Sequence, residues 1–284
     1  MSVTLLEYLS GKFPKAKKQT LRRMVQERRV KIEGAAAVNV KQIVRPDQRV
    51  IIEDRPREVG PGSLPPPFRV VHEDADVLLI DKPAGLLTST VPHERRPTAL
   101  ALVREFVAQR EPKSRVGLIH RLDRDASGLL IFSKNHEAFR SLKQQFFEHS
   151  VDRIYTAVVA GKLNPSQGRV RTRLVELPDG SVRSTKRPDA GEEAISEYQT
   201  LRTAGGLSLV RVTLKTGRKH QIRVHLSERG CPILGDPLYA NKDTQPAPRL
   251  LLQATELAFT HPRSGERLRF QIDLIPEIRR LFRS

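Results

Sequence analysis

Apolar residues recur at helical spacing in only a few short stretches of this chain. Leu5, Leu6 and Leu9 mark one stretch, and Leu21, Met24 and Val25 a second. Between them runs a polar segment rich in lysine, including Lys12, Lys15, Lys17 and Lys18. Strand-like pieces follow at Val30-Lys31-Ile32 and Arg49-Val50-Ile51-Ile52, with a turn expected at Glu33-Gly34. The cluster Gly60-Pro61-Gly62-Ser63-Leu64-Pro65-Pro66-Pro67 can continue neither a helix nor a strand ladder, so it reads as a linker. The expected division is a small unit over residues 1–58, a linker over 59–67 and a larger unit over 68–284.

In the larger unit, Val70-Val71 and Val77 to Ile80 flank the polar Glu73-Asp74-Ala75-Asp76, a hairpin pattern. Pro97 is placed to open a helix with Ala99, Leu102, Val103 and Phe106 on one face. Gly128 to Phe132 is an uninterrupted apolar run, as in a buried strand. Asn135 can cap a helix lined by Phe139, Leu142 and Phe146. Ile154 to Ala160 and Leu207 to Leu214 read as further strands, and Arg218 to Arg229 as a helix closed by Gly230. Strands and helices alternate without a regular βαβ rhythm. The expected class is α+β, with a mixed, largely antiparallel sheet flanked by helices.

Charge narrows the partners. The chain carries 50 Lys and Arg against 32 Asp and Glu, a net +18, over 284 residues. Such a bias selects for a polyanion, nucleic acid first and a membrane surface second. No run approaches the roughly 18 apolar residues of a membrane-spanning helix. A single cysteine, Cys231, excludes an internal disulfide and a thiolate zinc site. The expected compartment is the cytoplasm. In the small unit Lys17, Lys18, Arg22, Arg23, Arg28, Arg29 and Lys31 outnumber the nearby acids Glu27 and Glu33, which favours a phosphate-binding face over a merely solvated one.

Two segments are dense enough in polar groups to carry chemistry. In Gly117 to Phe132, His120, Arg121, Asp123, Arg124 and Asp125 sit between two apolar runs. Buried strands do not tolerate that load, so the segment reads as a loop at a sheet edge, where function concentrates. A surface turn with Asp and Ser bonding their own backbone competes with that reading. The second segment is Thr216-Gly217-Arg218-Lys219-His220-Gln221-Ile222-Arg223-Val224-His225, expected on a helix beginning near Gly217, whose N-terminus attracts anions. His220 and His225 lie five apart and do not share a helical face, so no metal site is expected. A phosphate loop and a nucleophile elbow are both missing, which weakens ATP chemistry and serine hydrolysis.

Taken in order, several segments resemble the RluA-type pseudouridine synthases. They are Asp81 to Leu87; His120-Arg121-Leu122-Asp123 with Ser127-Gly128; Arg153 to Gly161 around Tyr155; Gly217 to His225; Gly230 to Tyr239; and His261-Pro262. The small unit is similar to the RNA-binding domain named after ribosomal protein S4, with Arg29-Val30-Lys31-Ile32-Glu33-Gly34 at its turn. The chain departs from the usual pattern at Asp125-Ala126, at Arg153, where Lys is more common, and at Glu33, where Asn is.

The resemblance implies isomerisation of uridine to pseudouridine in a folded RNA by base flipping. It implies Asp123 as nucleophile, Arg223 as its cationic partner and Tyr155 stacked on the uracil. Arg121 would fill the space the base vacates, and His120, Arg218, Lys219 and His220 would contact substrate. No cofactor and no metal are implied, and a monomer is expected. Large-subunit ribosomal RNA is the favoured substrate, with transfer RNA as the alternative. A non-catalytic RNA-binding assembly factor on the same fold, or a hydrolase using Asp123 with His120, would be the competing functions.

Overall fold

Thr4 starts the first helix by a reciprocal cap. Its hydroxyl accepts the Glu7 N–H at 3.3 Å, while the Glu7 carboxylate accepts the Thr4 N–H at 2.8 Å. The computed structural model describes residues 3–14, 16–26, 30–52, 67–90, 96–242 and 244–282, and for Arg23 the backbone alone. Arg28, Arg29 and residues 59–66 of the expected linker lie outside that set.

The chain falls into two compact units, residues 1–64 and 65–284. In the first, β1 (Val3–Thr4) leads into α1 (Leu5–Lys12), α2 (Lys18–Gln26), β2 (Val30–Ile32), β3 (Ala35–Ala36), β4 (Ile43–Val44) and β5 (Val50–Ile52). Strands pair in the order β3-β2-β5, and β1 pairs separately with β4. Leu5, Leu9, Leu21, Met24, Val25 and Val30 form the core, so the helical spacing of the apolar residues is the packing face. Glu33 and Gly34 turn the β2–β3 hairpin with φ of 50° and 81°. Left-handed backbone at both positions is what a two-residue hairpin needs.

The second unit contains β6 (Arg69–Glu73), β7 (Val77–Lys82), α3 (Ala99–Ala108), β8 (Gly117–Leu118), β9 (Ser127–Ser133), α4 (His136–Phe147) and β10 (Asp152–Ala160). It continues with β11 (Gln167–Glu176), β12 (Val182–Thr185), β13 (Glu192–Ala204), β14 (Leu207–Leu214), α5 (Gln221–Glu228), β15 (Leu252–Thr260), β16 (Arg267–Gln271) and α6 (Pro276–Leu281). One sheet of eleven strands runs β12-β11-β13-β14-β10-β15-β9-β7-β6, with β16 on β15 and β8 on β9. Every pairing described in it is antiparallel except β15 with β9. The α+β class with a mostly antiparallel sheet therefore stands.

Both faces of the central strands are covered. Leu78, Ile80, Leu130 and Phe132 share a core with Val103 and Val107 of α3. Val77, Leu79, Leu129 and Ile131 share another with Leu142 of α4. That two-sided burial explains why Val77 to Ile80 and Gly128 to Phe132 are continuous apolar runs rather than alternating ones. At the parallel pairing Gly128 has φ 111°, and a Cβ there would lie 2.2 Å from the Ala254 carbonyl oxygen. Only glycine lets β9 approach β15 this closely.

Three expectations change. The polar loop of residues 119–126 leads into β9, an interior strand flanked by β15 and β7, not an edge. Thr98 caps α3 by accepting the Ala101 N–H, so Pro97 precedes the cap instead of opening the helix. The helix expected from Arg218 begins only at Gln221, because His220 is left-handed at φ 53°. The Gln221 carboxamide oxygen accepts the Arg218 N–H at 3.0 Å and the Thr216 hydroxyl at 2.8 Å, and this holds the preceding turn open. Arg218 and Lys219 thus belong to a loop, and only Arg223 of the three cations is helical.

His225 of α5 is buried, with its ring nitrogens 2.9 Å from the Thr172 and Ser196 hydroxyls. Burial, with help from Arg229, lowers its pKa to about 4. The unfolded chain therefore binds this proton first. Stability is untouched above pH 6.5 and falls as pH drops from 6.5 towards 4. The expected loss from this group by pH 4.5 is roughly 2–3 kcal/mol. Urea unfolding at pH 7 and 4.5 checks it: His225→Gln should lose less stability on acidification than wild type by about that amount. Equal losses would contradict the assignment.

Candidate active site

The loop between β8 and β9 is fastened at both ends before any side chain reaches outward. Thr88 clamps its middle, donating to the Leu122 carbonyl at 2.7 Å and accepting the Leu122 N–H at 3.1 Å. Lys82, wholly buried at the end of β7, donates to the carbonyls of Pro83, Leu86 and Arg124 at 2.8, 2.7 and 3.1 Å. Burial lowers its pKa to about 8, against the pull of Asp123 and Asp125. His120 accepts the Ile131 N–H at 3.2 Å and stacks on Phe146 with ring centres 4.7 Å apart. Burial, then Arg153 and Lys143, push its pKa down to about 3, so the ring is neutral. Its bonds are spent holding the loop to β9.

Asp123 is left projecting into a cleft of about 1000 Å³. Arg223 enters the same cleft from α5, its Nη1 3.4 Å from Asp123 Oδ2. The shorter bonds of that guanidinium go elsewhere. Nε and Nη2 donate to the two oxygens of Asp236, both at 2.7 Å, a bidentate pair that is almost fully buried. Asp236 is itself held by the N–H groups of Leu238 and Tyr239 at 2.9 and 3.1 Å. Burial alone would lower the Arg223 pKa, but Asp236 and Asp123 together raise it. The Tyr239 ring lies 5.0 Å from the Arg223 guanidinium, and its hydroxyl bonds His220 Nδ1 at 2.8 Å.

Tyr155 on β10 reaches the cleft as well, with Leu214, Ile222 and Leu252 as apolar neighbours along its lining. Burial pushes its pKa up to about 12; Arg153 opposes this and Asp123 adds to it. The phenol therefore keeps its proton at neutral pH. A carboxylate, a fixed guanidinium, a protonated phenol and apolar surface in one cleft can hold a flat polar ring and place a nucleophile beside it.

The residues singled out in the sequence thus divide. Asp123, Tyr155, Arg223, His120, Arg121, Arg218, Lys219 and His220 all line this cleft, though they come from segments far apart in the chain. Arg121 is exposed. Arg218 is engaged with Glu192 at 2.7 Å and the Glu193 carbonyl at 3.0 Å, and Lys219 with Glu176. Lys17, Lys18 and Arg22 are exposed in the first unit, the side chain of Arg23 is not described, and Arg29 lies outside the described residues. Sequence reasoning misses Lys82 and Asp236. For Asp236 the available signal is an acid within an otherwise apolar and turn-like run, which suggests a buried, partnered charge; Lys82, at the end of its run, gives none.

A model of the family described as RNA pseudouridylate synthase matches residues 76–228. An uncharacterized RNA pseudouridine synthase of Aquifex aeolicus is 30% identical over 283 residues, covering 94% of this chain and 89% of the relative. The ribosomal large subunit pseudouridine synthase D of Pseudomonas aeruginosa is 32% identical over 280 residues, covering 92% and 85%. The structure of human RNA pseudouridylate synthase domain containing 4 superposes with a TM-score of 0.62 at 23% identity, over 73% of this chain and 89% of that one, which is a likeness of fold. With these likenesses spanning the whole cleft, the chain belongs to the RNA pseudouridylate synthase family, and its reaction is the isomerisation of uridine within RNA.

Proposed function

We propose that Asp123 is the nucleophile of this isomerisation, that Arg223 is its electrostatic partner, and that Tyr155 stacks on the extruded uracil. The observation that carries the reading is the 3.4 Å approach of Arg223 to Asp123 in a cleft where Asp236 holds the guanidinium from behind. In the reaction the bond from the sugar C1′ to uracil N1 breaks, the ring turns, and C1′ bonds to C5. C5 loses its proton and N1 gains one, so atoms balance without a co-reactant. Attack by Asp123 at the ring or at C1′ serves equally in that scheme. The neutral Tyr155 offers a flat face and a proton-bearing tip. Arg121, exposed on the same loop, suits insertion into the stack that the uridine leaves, since a guanidinium plane stacks on bases.

The substrate proposed is large-subunit ribosomal RNA in the cytoplasm, because bacterial relatives matched along most of their length carry that designation. Pseudouridines mapped across total RNA, with and without the gene, test this. Loss of one or a few sites in the large-subunit RNA is expected. Loss confined to transfer RNA would overturn the substrate, and no loss anywhere would overturn the reading.

We further propose that residues 1–58 are an S4-like RNA-binding domain joined through the linker at 59–67. Exposed Lys17, Lys18 and Arg22 on and beside α2, and the left-handed turn at Glu33-Gly34, support it. Removing residues 1–58 should weaken RNA binding and flatten its salt dependence, by about 0.7–0.9 in the logarithmic slope for each phosphate that is no longer neutralised. Binding measured between 50 and 200 mM salt checks this, and an unchanged slope would make the basic face a solvated surface only.

A further inference from the structure

One guanidinium on the cleft wall is buried without an anion. Arg153 sits on β10 two residues before Tyr155 and is 8% exposed. Its Nη2 donates to the Lys215 carbonyl at 3.3 Å, its guanidinium carbon lies 5.4 Å from the Phe146 ring centre, and its Nε has no partner. Among the described residues it forms no ion pair. Other buried cations have their donors engaged, Lys82 by three backbone carbonyls and two others by carboxylates. Arg223 holds two carboxylates, and Lys134, 1% exposed, holds Glu73 and Glu111 at 3.0 and 2.6 Å. A buried charge with no counter-ion is destabilising.

The neighbours deepen the deficit. Lys143 and Arg218 line the same cleft, and the only carboxylate among the described lining residues, Asp123, is already engaged by Arg223. Burial, and Arg218 beside it, pull the Arg153 pKa below its ordinary value, yet a guanidinium keeps its proton in proteins. Gly217 makes the space: a Cβ there would lie 2.5 Å from Arg153 Nη1. Its backbone is not left-handed, so the glycine serves room rather than conformation.

We propose that Arg153 holds a backbone phosphate next to the extruded uridine. Arg153 and Tyr155 alternate with Ile154 along one strand, about 7 Å apart in extended chain. A nucleotide whose base lies on Tyr155 must bring its phosphates to the same wall. The guanidinium fork can take two phosphate oxygens at once, which the ammonium of a lysine cannot. The incoming anion supplies the partner that the free protein lacks. This rests on the reading of Asp123 and Tyr155 given above.

The test uses an RNA hairpin containing the uridine mapped by the gene-removal experiment. It is made with all phosphodiesters, or with a neutral methylphosphonate at the linkage 5′ or 3′ of that uridine. For the full-length wild-type protein, kcat/KM should fall about tenfold or more for one of the two neutral linkages. Arg153→Gln should be slower on the native hairpin by a similar factor and indifferent to that linkage. Gly217→Ala, which keeps the charge but displaces the guanidinium, should lose the same discrimination. If wild type tolerates both neutral linkages, or if Arg153→Gln discriminates as strongly as wild type, the proposal is overturned. Wild-type tolerance of both neutral linkages overturns the proposal even if a variant does not fold. A wild-type protein that makes no pseudouridine on the native hairpin would instead fail the catalytic reading, before any phosphate is altered.

Discussion

Asp123→Asn is expected to abolish pseudouridine formation, by at least about 10⁴-fold in turnover, the scale seen when a covalent nucleophile is removed. Affinity for RNA should stay within several fold. The amide fills the same volume at the mouth of a cleft, and removing a negative charge there opposes phosphate binding in no way. Arg223 gives up its 3.4 Å approach to Asp123 but keeps both bonds to Asp236, so the fold should survive. Single-turnover assays and equilibrium binding on one RNA separate the two effects. Full turnover by this variant would mean that the nucleophile is another group.

Asp236→Asn should be the most damaging change away from Asp123. It removes the charge of a bidentate pair buried on both sides, leaving the guanidinium only its longer 3.4 Å contact with Asp123 as counter-charge. Breaking such a pair costs about 3–5 kcal/mol of stability. Activity should fall by about 10² in kcat with a smaller change in KM, because Arg223 is no longer held at its angle and a misplacement of about 1 Å has that effect. The carboxamide oxygen can still accept from Leu238 and Tyr239, so the turn at 236–239 is retained. Urea unfolding, and kcat measured well below the unfolding temperature, check the two parts. A variant as stable and active as wild type would remove Asp236 from the site.

The order of motifs along the chain makes the cleft legible, but its wiring is not. Asp123, Tyr155 and Arg223 stand 32 to 100 positions apart along the chain, and meet because β9, β10 and α5 converge. Composition and periodicity place each on an element without saying which elements adjoin. Lys82 is the harder case: it closes the apolar run of β7, where a lysine looks like the start of solvent. Its role needs three carbonyls from two different turns, none of which a sequence pattern displays. The helix expected from Arg218 fails for a similar reason. The side chain of Gln221, not propensity, decides where α5 begins. In the sheet, β6, β7, β9, β10 and β14 are visible as apolar runs. Strands β11 to β13 are not, since exposed Arg and Glu alternate along them with few apolar residues.

The parallel pairing of β9 with β15 has a bearing on biosynthesis. Ser127, at the exit of the loop that carries Asp123, takes a hydrogen bond from Arg249, 122 residues later, and Gly128 lies against Ala254. A nascent chain emerging from the ribosome therefore carries Asp123, the proposed nucleophile, long before the strand that supports its loop. Contacts of such long sequence separation form late and slowly. Activity should therefore appear only once β15 has been made and paired, since the loop that carries Asp123 has no support on that side before then.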